Sequence, residues 1–67
     1  MRIILNNNEE FVERDEVTVK ELLEIKKYTF KMLVVKINDK IVKKDDYTNA
    51  VIKDGDNVIV LHLMSGG

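Results

Sequence analysis

The sequence has no cysteine, no proline and no tryptophan, and only three glycines in 67 residues. Without cysteine there is no disulfide and no thiolate nucleophile or ligand. A chain this short buries only about 60% of the surface its unfolded form exposes. One small core, held by apolar patterning and hydrogen bonds alone, must therefore suffice. The absence of cysteine fits a reducing cytoplasm, which is the expected location. So few glycines leave no room for a Gly-rich phosphate loop. No uninterrupted apolar run exceeds the four residues of Val58 to Leu61, against the ~20 that a membrane-spanning helix needs. Met1-Arg2-Ile3-Ile4-Leu5 is too short for a signal peptide, so a soluble, untargeted protein with no membrane partner is expected. An excess of one charge is also lacking, since 11 basic residues meet 12 acidic ones with the signs interspersed and a net charge of −1. The electrostatic footprint of a nucleic-acid binder is missing. Lys26-Lys27 and Lys43-Lys44-Asp45-Asp46 read as solvated surface.

What is present is ordered punctuation. Arg2-Ile3-Ile4-Leu5 reads as a strand, Asn6-Asn7-Asn8 as a turn that tolerates left-handed backbone, and Glu9-Glu10-Phe11-Val12-Glu13 as a returning strand. Phe11 and Val12 lie on opposite faces of that strand, and alternation leaves open which of them is inward. Thr18-Val19-Lys20-Glu21 has the form of a capping box, with Val17 and Leu22 placed as a hydrophobic staple and Val19, Leu22 and Leu23 as a core-facing stripe. A helix of about nine or ten residues is expected, with Lys26-Lys27 at the negative end of its dipole.

Met32 to Ile37 is a β-branched run in which Lys36 marks the solvent side, so Leu33, Val35 and Ile37 should face the helix. Asn38-Asp39-Lys40 turns the chain, Ile41-Val42 forms a short strand, and Tyr47 anchors an irregular stretch. Asp54-Gly55-Asp56 is a strong turn before the last strand, Val58 to Met64, which runs into Ser65-Gly66-Gly67. The order ββαβ(β)β predicts an α+β protein of the β-grasp, ubiquitin-like kind: a mixed sheet of four to five strands with one main helix on one face. The expected division is a folded domain over 1–64 and a flexible tail over 65–67.

Side-chain chemistry is sparse. The single histidine, His62, sits mid-strand among apolar neighbours, where a surface or packing role is expected, and no His/Cys cluster suggests a metal site. Glu9-Glu10 and Asp45-Asp46 send adjacent carboxylates in divergent directions, which is no arrangement for general acid and base, and no catalytic residue is assigned. The end of the chain is different. Two of the three glycines are the last two residues, an outcome of about 0.5% chance at a background of ~7% glycine. Lacking a Cβ, Gly66-Gly67 can lie extended and thread a narrow channel, bringing the Gly67 carboxylate into a partner's active site.

In Asp54-Gly55-Asp56, the apolar strand after it and the terminal Ser65-Gly66-Gly67, the chain resembles the ThiS/MoaD family of sulfur-carrier proteins. Thr18-Val19-Lys20-Glu21-Leu22-Leu23 is similar to the family's helix start, and Val35 to Val42 to its strand-turn segment. Lys43-Lys44 departs from the Pro-Arg found after that segment, and Met64-Ser65 from the Val-Gly or Ile-Ala of many thiamine-branch tails. The resemblance implies a carrier and not an enzyme. Its Gly67 carboxylate would be adenylated by a ubiquitin-activating-type (ThiF-like) partner using ATP and magnesium, with no cofactor bound by the carrier itself. Sulfur from a sulfur-donating enzyme would then give a thiocarboxylate, used by a thiazole synthase (ThiG-like) in thiamine synthesis. Ser-Gly-Gly is also similar to the molybdopterin branch, so a molybdopterin-synthase small subunit (MoaD-like) stays open as a second pathway. A passive β-grasp interaction module and a carrier that is conjugated to lysines stay open as well.

A docking face should accompany the tail. Taking Lys36 and His62 as solvent markers places Val34, Val58, Val60 and Met64 on the sheet face away from the helix, joined by Ile4 if Ile3 and Leu5 are inward. Ser65 and Gly66 would thread behind them.

Overall fold

In the computed structural model, residues 1–28 and 32–62 are described. The strands are β1 (Arg2–Leu5), β2 (Asn8–Phe11), β3 (Glu16–Thr18), β4 (Leu33–Ile37), β5 (Lys40–Val42), β6 (Val51–Lys53) and β7 (Asn57–His62), with helix α1 (Val19–Ile25) after β3. Five strands form one sheet in the order β2-β1-β7-β4-β5, and β3 and β6 make a separate antiparallel pair. β1 and β7 run parallel in the centre, while every other pairing is antiparallel.

Asparagine makes the two tight hairpins possible. Asn6-Asn7 (φ 50° and 69°) joins β1 to β2, and Asn38-Asp39 (φ 50° and 70°) joins β4 to β5. Both loops hold two consecutive left-handed residues, the requirement of a type I′ turn, whose twist matches the flanking strands. Gly55 (φ 87°) meets the same need in the turn before β7.

The capping box forms as its spacing predicts. The Thr18 hydroxyl accepts from the Glu21 amide at 3.1 Å and the Glu21 carboxylate accepts from the Thr18 amide at 2.9 Å. The latter bond is the main cause that holds the Glu21 carboxyl below its ordinary value, with the Arg14 charge assisting. The remaining first-turn amides, Val19 and Lys20, donate to the Ala50 and Tyr47 carbonyls at 2.9 Å each. The Tyr47 side chain, partly buried, packs against the core and so anchors its stretch, as the sequence suggests, and burial pushes its hydroxyl pKa up.

The helix is shorter than expected, seven residues. It stops because Lys27 turns left-handed (φ 57°), letting Tyr28 N–H reach the Leu23 carbonyl at 2.8 Å. Lys26 is the C-cap and bonds Glu10 of β2 at 2.8 Å, which raises the lysine pKa.

The core lies between α1 and the five-stranded sheet. Ile3, Leu5, Val12, Val17, Val19, Leu22, Leu23, Val35, Ile52, Val58 and Val60 are buried, and no polar side chain is buried with them among the described residues. Each such aliphatic contributes about 1.5–3 kcal/mol relative to exposure. Val17 and Ile52, register partners in β3 and β6, fill the core from the side. Of the pair that alternation left open, Val12 is inward, while Phe11 is 75% exposed.

Candidate functional site

The fold delivers a chain end from the middle of the sheet. β7 pairs with β1 through Asn57 and Val58 on one side, and with β4 from Val58 to its last residue, His62, on the other. The tail glycines Gly66 and Gly67, with Ser65 and Met64, lie outside the described residues, as does Leu63. What is described is the launching strand and its fixation. The Asn6 side-chain amide grips Val60 through both backbone groups, donating to its carbonyl at 3.1 Å and accepting from its N–H at 2.7 Å. At the other end of β7, Asn38 Oδ1 accepts from Asn57 N–H at 2.9 Å, and the Asp56 carboxylate accepts from Asn38 Nδ2 at 3.1 Å and Lys53 N–H at 2.9 Å. The neighbouring Asp54 carboxylate accepts from Arg2 N–H at 2.7 Å. Asp54-Gly55-Asp56 is thus a structural joint tying β1, β6, β7 and the β4–β5 turn.

The sheet face away from the helix carries the expected apolar surface with a corrected membership. Ile4 and Val34 lie there, half-buried, since Ile3, Leu5 and Val35 point to the core. Val58 and Val60 do not. They are 0% and 6% exposed, fully part of the core, and Ile59 and Leu61 occupy the open face instead. His62 misled as a solvent marker. It shares the core-side parity of Val58 and Val60 and pairs with Leu33, yet it is exposed because it is the last residue of the strand. Lys36 was a sound marker for β4: its register partners, Ile59 on β7 and Ile41 on β5, are both on the open face.

The open face therefore runs from Phe11 through Ile4, Ile59, Leu61 and Val34 to Ile41 across all five strands. Phe11, Ile41 and Leu61 are 75%, 67% and 49% exposed. An apolar surface continuous over adjacent strands marks an interaction site more than scattered aliphatics would. Its charges are few. Arg2 and Glu9 neutralise one another at 3.1 Å near the β2 edge, while Lys36 sits half-buried toward the other side. Sequence reasoning missed Ile41, Ile59, Leu61 and Phe11. For Ile59 and Leu61 the missing signal was register, because all four residues from Val58 to Leu61 are apolar.

The rest of the surface offers little chemistry. A groove on α1, lined by Lys20, Leu23, Glu24, Lys27 and Tyr28, lies in the layer opposite this face. Among the described residues no group of His, Asp or Glu is arranged to hold a metal ion, and no helix is long and apolar enough to cross a membrane.

Comparison with known proteins agrees with this architecture. The family model described as the ThiS family matches residues 1–67. The crystal structure of a thiamine biosynthesis protein (ThiS) from Geobacter metallireducens is 28% identical, with a TM-score of 0.90 over 100% of both chains. A solution NMR structure of a thiamine biosynthesis protein from the same organism is also 28% identical, with a TM-score of 0.80 over 100% of this chain and 88% of that one. No curated protein sequence matches. The match over the whole length, together with the β-grasp architecture, establishes that the chain belongs to the ThiS family: a small sulfur carrier that works with adenylating and sulfur-transfer enzymes and is not itself a catalyst.

Proposed function

We propose that the chain carries sulfur as a thiocarboxylate on Gly67 for assembly of the thiazole of thiamine. The observation that carries this reading is the family match through the terminal Gly66-Gly67, and the likeness to a thiamine biosynthesis protein favours the thiazole over the molybdopterin branch. A carboxylate is a poor electrophile. Attack of the Gly67 carboxylate oxygen on the α-phosphorus of ATP, with pyrophosphate leaving, gives an acyl-adenylate whose AMP is a good leaving group. Sulfide-level sulfur from the donating enzyme then adds to the acyl carbon and AMP departs. The product is a soft sulfur nucleophile that a thiazole synthase can consume. ATP and magnesium belong to the ThiF-like activating partner, and the cytoplasm, where ATP is available, is the proposed compartment.

Within this division of labour the open face of β1, β4, β5 and β7 docks the activating enzyme, while Ser65 and Gly66 thread toward its active site. Mass spectrometry of protein recovered from its native cell tests the proposal. Replacement of the terminal hydroxyl by SH adds about 16 Da, and the gain must map to the C-terminal peptide, because oxidation elsewhere adds a similar mass. Isopeptide adducts on lysines in place of that species would refute it in favour of conjugation.

A further inference from the structure

Lys36 is the exception on the open face. Its register partners are Ile59 and Ile41, and two residues back along β4 Val34 pairs with Leu61, so a lone ammonium stands among aliphatic positions. The side chain is half-buried, its methylene stem lying along this surface as lysine stems do. Among the described residues the Lys36 ammonium makes no hydrogen bond or ion pair. Among the described residues of the face's strands, the one carboxylate on this side, Glu9, is already committed to Arg2 and stands near the β2 edge, with β1 and β7 between it and β4.

We infer that Lys36 is the charge key of the docking face: the partner is a protein surface that is apolar opposite Ile41, Ile59 and Leu61 and places a carboxylate against the Lys36 ammonium. A wholly apolar partner would have to bury that ammonium unpaired, which is strongly unfavourable. A carboxylate converts the same burial into a charge-assisted hydrogen bond and fixes the angle at which the partner sits. A second copy of this chain is a poor occupant. A twofold contact would set the same patch against itself, and among the described residues of its strands the carboxylate available to meet Lys36, Glu9, is already held by Arg2.

The inference rests on the carrier reading, and the test separates the two. Binding of the full chain to its cognate adenylating enzyme is measured at about 50 mM and about 500 mM salt, for wild type, Lys36→Met, Lys36→Arg, Lys36→Glu and Leu61→Asp, with circular dichroism on each. At low salt Lys36→Met is expected to bind about tenfold more weakly with a flatter salt dependence, Lys36→Glu about a hundredfold more weakly, and Lys36→Arg within about threefold of wild type. Wild-type affinity and salt dependence in Lys36→Met would overturn the inference while leaving the carrier reading intact. So would unimpaired binding by Leu61→Asp, or, if Lys36→Met fails to fold, loss of binding by a folded Lys36→Arg. A wild-type chain that is neither bound nor adenylated would sink the carrier reading, and this inference with it.

Discussion

Asn6 stands in for a strand residue opposite Val60: its side-chain Nδ2 donates to the Val60 carbonyl at 3.1 Å and its Oδ1 accepts from the Val60 N–H at 2.7 Å. Backbone pairing of β1 with β7 reaches only to Leu5 and Val58. The amide continues that pairing after the chain has turned away, and the left-handed Asn6 backbone (φ 50°) makes the turn and the grip compatible. Asn6→Gly keeps the turn and loses the grip, so it should cost roughly 1–2 kcal/mol. Asn6→Ala also loses the short polar side chain that lets asparagine tolerate left-handed backbone, adding about 1 kcal/mol. Urea denaturation of the two variants checks both the cost and its order.

Val60 and Leu61 are neighbours with opposite duties. Val60→Asp places a charge in the core at a cost of roughly 3 kcal/mol or more. The whole stability expected of such a domain, at ~0.05–0.15 kcal/mol per residue, is only about 3–10 kcal/mol. That variant should lose most of its folded population by circular dichroism. Leu61→Asp should stay folded and bind the activating enzyme at least about tenfold more weakly, the scale of a hot-spot residue. Reversal of the two outcomes would mean that the strand parity is wrong.

Gly66→Val should slow ATP-dependent adenylation by steric bulk and restricted dihedrals while leaving thermal unfolding unchanged. Deletion of Gly66-Gly67 should abolish adenylation with the same indifference in melting temperature, because every buried core residue identified precedes Leu61. A pyrophosphate-release assay with the cognate enzyme reads both, and turnover at the wild-type rate would remove the threading role.

The capping box gives a pH dependence of definite sign. Because the Glu21 carboxyl is held below its ordinary value in the folded state, first by the Thr18 N–H bond, its contribution is complete above the unfolded pKa. It is lost as pH falls through the lowered folded pKa. Glu21→Gln can keep the reciprocal hydrogen bond without the charge. The melting temperature of wild type minus that of Glu21→Gln should therefore shrink between about pH 6 and about pH 2. A difference that stays constant over that range would assign the stabilisation to hydrogen bonding alone.

Local chemistry was legible in the sequence wherever one residue type has one physical use. The capping box at Thr18 and Glu21, the asparagine turns, Gly55 and the inward set Leu33, Val35 and Ile37 all stand where residue pattern places them. The pair β3–β6 was not legible, because a three-residue strand with a single inward side chain, Val17 or Ile52, has no period to detect. Parity failed in β7 for a different reason. A run of aliphatics is silent about direction, and its one polar marker, His62, occupies the strand end, where either face is wet. Only pairing with Leu5 and Val35 decides it. As for the candidate site, the glycine tail was visible in composition, whereas the docking face depended on that parity.

Last among the described strands and central in the sheet, β7 also governs the order in which the molecule can be built. Until residues 57–62 are available, the β1–β2 and β4–β5 hairpins have no strand in common, and a lone hairpin is marginal in water. A growing or prematurely terminated polypeptide that stops short of β7 therefore holds two unjoined ribbons and an uncovered helix face, the kind of exposed intermediate that is cleared or aggregates. Folding of the sheet consequently waits on β7, the one strand that joins the two hairpins.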